Sequence, residues 1–224
     1  MAKRNLGPSN AARLDAWVRA FSKRSDVAVK DSTRGPTWKG APNSILEPKE
    51  LDGFYSENNG YSFVWLPTGS TDQSEGGILR IPKRSGSVVL WYKDPGHHEV
   101  SPYIDGLIID EPTDENTTFV LNRYIAGTRK KERVIGGNNA SSNEARFFES
   151  FSAYLQEGAR KAFSWYWQWK ETDGLARLRA RSLPPETSSD IIVKELVDRG
   201  LTADEATDLC NWLGNDARLL VERR

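Results

Sequence analysis

The stretch Leu46-Glu-Pro-Lys-Glu-Leu-Asp-Gly-Phe-Tyr-Ser-Glu-Asn-Asn-Gly60, continued by Tyr61-Ser-Phe-Val-Trp-Leu66, decides the fold of this 224-residue chain. Pro48 suits the first turn of a helix, where its missing N–H costs nothing. Leu51, Phe54 and Tyr55 then fall at i, i+3 and i+4 and share one helical face. Asn58-Asn59-Gly60 ends that helix, since Asn and Gly tolerate the left-handed backbone of a helix stop. Beyond it the period changes to two: Tyr61, Phe63 and Trp65 point one way, Ser62 and Val64 the other. Gly76-Gly-Ile-Leu-Arg-Ile-Pro82 and Ser87-Val-Val-Leu-Trp-Tyr92 continue as strands. A short helix, a stop and consecutive strands predict an α+β unit.

Toward the N-terminus, Leu14, Trp17, Val18 and Phe21 recur at helical spacing, which predicts an amphipathic helix over 11–24 with Asn10 as its N-cap. Residues 25–44, punctuated by Arg34-Gly-Pro and Lys39-Gly-Ala-Pro, read as an ordered loop or a short strand, with Trp38 a core or lid aromatic. Downstream, 103–109 and 117–125 read as strands and 127–142 as a mobile loop. Ser142 or Asn143 then caps a long helix whose face is Ala145, Phe148, Phe151, Ser152, Leu155 and Ala159. Trp17, Phe54, Trp65, Phe148 and Phe151 are expected to be buried and mutually close. Truncating one of these Phe residues to Ala then costs about 3–5 kcal/mol.

The chain thus divides into an α+β domain over 1–170, a linker over 171–189 and a helical extension over 190–224. The domain has a mainly antiparallel sheet running through 61–125 with helices on one face. The linker is read from Ser182-Leu-Pro-Pro-Glu-Thr-Ser-Ser. The extension holds helices at 190–199, 203–213 and 215–222, stopped by Gly200 and Gly214 and capped by Thr202 and Asn215.

Leu46, Pro48, Leu51, Phe54, Tyr55, the Asn59-Gly60 break and Trp65, followed by Phe148, Phe151 and Leu155, resemble the pattern of the SUKH superfamily over roughly the middle half of the chain. That group contains many bacterial toxin-immunity proteins and a fungal regulator of cell-wall synthesis. Its pattern is one of hydrophobic positions around a single Asn-Gly, with no catalytic signature. The resemblance therefore implies a non-catalytic binding protein, an immunity-type inhibitor of a toxin.

Composition bounds the alternatives. Lys+Arg and Asp+Glu both number 31, so whole-chain charge makes no case for nucleic acid or an anionic membrane as partner. A single cysteine, Cys210, excludes an intramolecular disulfide and a cysteine-rich metal site. No run is long and apolar enough to span a bilayer, and the basic start Met-Ala-Lys-Arg-Asn-Leu-Gly-Pro lacks the apolar core of a signal peptide, so a cytoplasmic location is expected.

Charge is unevenly placed along the chain. Residues 94–122 carry Asp94, Glu99, Asp105, Asp110, Glu111, Asp114 and Glu115 with no Lys or Arg, a balance of about −7. Residues 123–133 carry Arg123, Arg129, Lys130, Lys131 and Arg133 against Glu132, about +4. Adjacent segments of opposite sign commonly neutralise each other on a folded surface, which is the plain expectation here. The sharper one is an acidic face for a basic protein partner, with Asp110, Glu111, Asp114 and Glu115 as its residues. The segment Lys161-Ala-Phe-Ser-Trp-Tyr-Trp-Gln-Trp-Lys170 is the second candidate surface: as a strand it lines Trp165, Trp167 and Trp169 on one face, to pack within the fold or to meet a partner.

Catalytic patterns are weak by comparison. His97 and His98 are the only histidines and are adjacent, a poor arrangement for one metal ion, and no paired ligands stand at the expected spacing. Gly76-Gly77 and Gly136-Gly137 are not followed by Lys-Ser/Thr, and no nucleophile elbow is visible. No cofactor, metal or catalytic residue is assigned. The readings are a protein-binding module of the immunity-inhibitor kind, an adaptor binding through the C-terminal helices, or an enzyme using His97/His98 with nearby carboxylates.

Overall fold

Asn58-Asn59-Gly60 closes a helix and turns the chain into a strand. The helix is α2 (Lys49–Glu57), the strand β2 (Tyr61–Pro67), and Gly60 between them has φ +92°. The corner is held by the strand before it. The Asn59 N–H donates to the Pro36 carbonyl at 2.8 Å and the Gly35 N–H to the Gly60 carbonyl at 2.8 Å. A Cβ on Gly35 would lie 1.7 Å from the Asn59 carbonyl oxygen, so only glycine permits this approach. The structure, a computed structural model, describes residues 8–37, 49–83, 89–92, 104–113, 116–124, 131–139, 142–164 and 171–223, with the backbone alone for 49–52, 89–92, 104–113, 116–124, 131–139 and 142–147. Trp38 and Pro48 lie outside these residues.

Among the described residues, two antiparallel sheets and six α-helices make this an α+β protein. The first sheet has the order β1-β2-β3, with β1 (Val27–Arg34) and β3 (Gly77–Ile81) flanking β2. Because β2 is central, Val64 and Leu66 are buried as well as Tyr61, Phe63 and Trp65; only Ser62 keeps the expected polar alternation. The second sheet is a five-stranded meander, β4 (Val89–Tyr92), β5 (Ile104–Thr113), β6 (Asn116–Tyr124), β7 (Lys131–Asn139) and β8 (Ser142–Phe148). The single sheet expected over 61–125 is therefore two sheets, the second extending to Phe148.

The largest departure is at 127–148. The expected loop contains β7, and the expected start of a long helix is β8; α3 begins only at Phe151 (Phe151–Arg160). Register explains why strand wins over the helical spacing at Ala145 and Phe148. Gly136 pairs with Phe119 on one side and Phe147 on the other, and Gly137 with Thr118 and Arg146, so glycines of poor strand propensity are held by partners on both sides. Ser150 then caps α3, its hydroxyl accepting from the Ala153 N–H at 3.0 Å.

The chain forms two compact units, one of residues 1–32, 63–78 and 155–224 and one of 33–62 and 79–154. In the first, α1 (Asn10–Phe21) is capped by Ser9, whose hydroxyl accepts from the Ala12 N–H, rather than by Asn10. Its Trp17 stacks on Phe21 with centroids 4.6 Å apart and meets Phe63 and Phe163 edge-on, while Phe21 meets Trp65. In the second unit Phe54 meets Phe151 edge-on at 5.4 Å, and Tyr154 joins both Phe151 and Phe148. The expected aromatic core is thus two ring clusters. Four of its five residues are buried, whereas Phe148, at the end of β8, is only half-buried.

The C-terminal segment belongs to the same unit as α1. Residues 173–181, expected as linker, form α4 (Asp173–Arg181), capped by the Thr172 hydroxyl and with Arg179 and Arg181 in the last turn, where cations suit the helix dipole. α5 (Ser189–Asp198) and α6 (Ala203–Leu213) follow, with positive φ at Gly200 and Gly214 as expected. The expected third helix is a 3-10 segment, Gly214–Leu220, without a side-chain cap from Asn215. α6 lies against α1, where Asp208 accepts two hydrogen bonds from Arg13, at 2.9 and 3.0 Å, and Glu205 pairs with Arg19.

Candidate functional site

Hairpin register places two of the expected acidic residues, Asp110 and Glu111, toward one end of the meander. Asp110 and Glu111 lie near the end of β5, with Asp110 opposite Thr118 and Thr113 opposite Asn116. Asp114 and Glu115 lie outside the described residues and are the two sequence positions between that last pair. The β5–β6 register is irregular on both sides of Asp110, and such bulges interrupt pairing at sheet ends. The cations of the next segment fall elsewhere. Lys131 pairs with Tyr124, Arg133 with Asn122 and Arg123 with Glu132. From Thr118 to Tyr124 is six residues, about 20 Å of strand, which exceeds the screening length of about 8 Å at physiological salt. By backbone register, Asp110 and Glu111 stand apart along the strands from Arg123, Lys131 and Arg133. Asp105, opposite Trp91, and Glu132, opposite Arg123, are acidic residues that fall at the basic end. Arg146, opposite Gly137, is the basic residue at the acidic end.

A second feature belongs to the first unit. A cleft of about 320 Å³ has α4 as one wall, contributing Gly174, Arg177, Leu178, Ala180 and Arg181. Asp26, Trp65, Pro67 and Thr68 form the other. Each polar group there has a definable state. Asp26 is paired with buried Arg24, Nε to Oδ1 at 2.8 Å and Nη2 to Oδ2 at 2.7 Å. The Thr68 hydroxyl donates to the Ser25 carbonyl at 2.9 Å. Arg177 reaches Glu75 through both terminal nitrogens, at 2.9 and 3.3 Å. Trp65 is fixed by its indole N–H, which donates to the Ala162 carbonyl at 2.7 Å. That carbonyl is presented by a left-handed turn, Ala162 at φ 51° and Phe163 at φ 53°, which ends α3. Nothing in the sequence reading singled out this cleft. The available signal was the Thr172-Asp173 start of a helix with Arg177 and Arg181 four residues apart.

The remaining sequence candidates, His97, His98, Trp165, Trp167 and Trp169, lie outside the described residues. Among the described residues no group of His, Cys, Asp and Glu is placed to hold a metal ion. Cys210 is buried, and burial pushes its thiol up, away from the thiolate a nucleophile needs. Among the described residues no helix is long and apolar enough to cross a membrane. No protein-family model, curated protein or solved structure matches the chain.

Proposed function

We propose that this protein is a non-catalytic protein-binding module, an immunity-type inhibitor that meets a basic toxin through the acidic end of the β5–β6 hairpin. The observation that carries the reading is the register of β5, β6 and β7, which sets Asp110 and Glu111 at the opposite end of the strands from Arg123, Lys131 and Arg133. Like charges gathered at one end of a sheet repel each other, and a complementary basic surface relieves that repulsion. Complementary charge raises the association rate and loses its effect as salt rises. The resemblance of 46–65 and 148–155 to the SUKH pattern supports the immunity role, and a nuclease toxin, basic by virtue of its own substrate, is the kind of partner this end would suit.

The test uses a partner captured from the native host with the full chain. Asp110→Asn, Glu111→Gln, Asp114→Asn and Glu115→Gln are combined in one variant, and its association is followed by stopped flow at several salt concentrations. Association is expected to slow several-fold at low salt and to converge with the parent at high salt, while the Tm stays within about 2 °C, as expected of carboxylates that serve a partner and not the fold. Unchanged association at low salt removes the acidic end from the reading. Capture of a substrate that the protein turns over, dependent on His97 or His98, replaces the reading altogether.

A further inference from the structure

We propose that the cleft beside α4 is a binding site for a small organic carboxylate with an apolar body, held by Arg181 and Arg177. This stands on observations separate from the acidic hairpin. The charges around the cleft are unequal in their commitments. Asp26 offers little repulsion to an anion, because both its oxygens accept from Arg24 and the pair is almost fully buried. Glu222 is engaged with Ser25, accepting from its N–H at 2.9 Å and from its hydroxyl, and acts on Arg181 only through its charge. The Arg181 guanidinium forms no hydrogen bond or ion pair among the described residues.

Arg177 is bound to Glu75, but its side chain is 57% exposed, and exposed pairs of this kind are weak enough to exchange with a ligand. Arg177 and Arg181 are one helical turn apart on the same wall of the cleft, a spacing at which like charges repel and a shared anion turns repulsion into attraction. Arginine suits a carboxylate because its planar fork donates two parallel N–H groups. Trp65, Pro67, Leu178 and Ala180 line the rest, which favours an apolar body over a bare inorganic anion. A volume of about 320 Å³ lies at the small end of ligand sites and fits a compound of about ten heavy atoms.

Benzoate is the probe, with inorganic phosphate as the comparison anion, each titrated into the isotope-labelled full chain and followed by amide NMR. Benzoate is expected to move the amides of 65–68 and 174–181 saturably at millimolar concentration, and phosphate to move them weakly. Arg181→Gln should weaken benzoate roughly tenfold, the scale of one charge-assisted hydrogen bond. Arg179→Gln, whose parent side chain pairs with Glu171 and is not part of the cleft, should leave it unchanged. Shifts that grow linearly without saturation overturn the proposal, as does a benzoate affinity indifferent to Arg181→Gln in a variant whose spectrum remains folded. Phosphate binding as well as benzoate would overturn the apolar part of the assignment.

Discussion

Charge is handled in opposite ways in two parts of this molecule. At Arg24 and Asp26 it is enclosed: the Arg24 side chain is 0% exposed and Asp26 is 8% exposed. Every N–H of that guanidinium finds an acceptor: Asp26 through Nε and Nη2, the Leu219 carbonyl at 2.7 Å and the Ser182 hydroxyl at 3.0 Å through Nη1, and the Leu178 carbonyl through Nη2. At the end of the β5–β6 hairpin, charges of one sign stand next to each other in the chain, with the basic positions displaced along the strands. Desolvating a charge is costly unless its partners are complete, so the first arrangement makes a structural joint. In the reading proposed above, the second leaves its compensation to a partner. Whether a charged residue is structural or available thus depends on who closes around it.

The most direct way to break this contrast is to remove one member of the enclosed pair. Asp26→Ala leaves the Arg24 guanidinium buried without its carboxylate and is expected to destabilise the fold by about 3–5 kcal/mol, measured by urea denaturation. Replacing both residues together, Arg24→Met with Asp26→Leu, removes the orphaned charge and should recover part of that loss. If Asp26→Ala instead melts within a degree or two of the parent, the pair is not the joint described. The four-carboxylate hairpin variant provides the opposite pole: a large change in association at low salt with almost none in stability.

Between these poles lies the N-terminus of α6. Thr202 accepts from the Glu205 N–H at 3.2 Å while Glu205 accepts from the Thr202 N–H at 3.0 Å, a reciprocal capping box. Glu205 is held below the usual carboxylate range by the Thr202 backbone N–H, against burial and with help from Arg19. Thr202→Ala removes one half of the box and should cost about 1 kcal/mol, again by denaturant titration. A loss as large as that for Asp26→Ala would mean that the cap has become part of the α1–α6 contact rather than a local device.

How far the sequence revealed this depended on how local each cause is. The Asn58-Asn59-Gly60 stop, the β2 aromatics, the caps and stops around α6 and the strand character of β5 and β6 are set by a few neighbouring residues, and each was legible. The 127–148 region was not. Gly136 and Gly137 look like a loop by themselves, and only pairing with β6 and β8 makes them strand; likewise Ala145 and Phe148 continue the helical period of α3 backwards, where cross-strand pairing overrides it. Arg24 read as the basic end of a helix, because its acceptors at Leu178, Ser182 and Leu219 are more than 150 positions away. The cleft was missed for the same reason: Asp26, Trp65 and Arg181 have no sequence proximity. The acidic cluster was visible as composition, but its separation from the basic segment required the register.

The smallest expected effect is the most specific in its pH dependence. Glu222 sits beside the enclosed pair; burial pushes its carboxyl up, but the Ser25 N–H and hydroxyl and the charges of Arg24 and Arg181 outweigh burial and hold it below its ordinary 4.5. A carboxylate depressed in the folded state binds its proton more readily in the unfolded chain. Its stabilisation is therefore fully present above about pH 5 and fades as pH falls through the folded value. Glu222→Gln keeps the shape and can still accept from Ser25, but has no charge to lose. The parent should thus exceed the variant in stability at pH 7, and the gap should close as the solution is acidified toward pH 3. A gap that stays constant across that range would assign the contribution of Glu222 to packing and hydrogen bonding rather than to charge. The enclosed region would then end at Arg24 and Asp26.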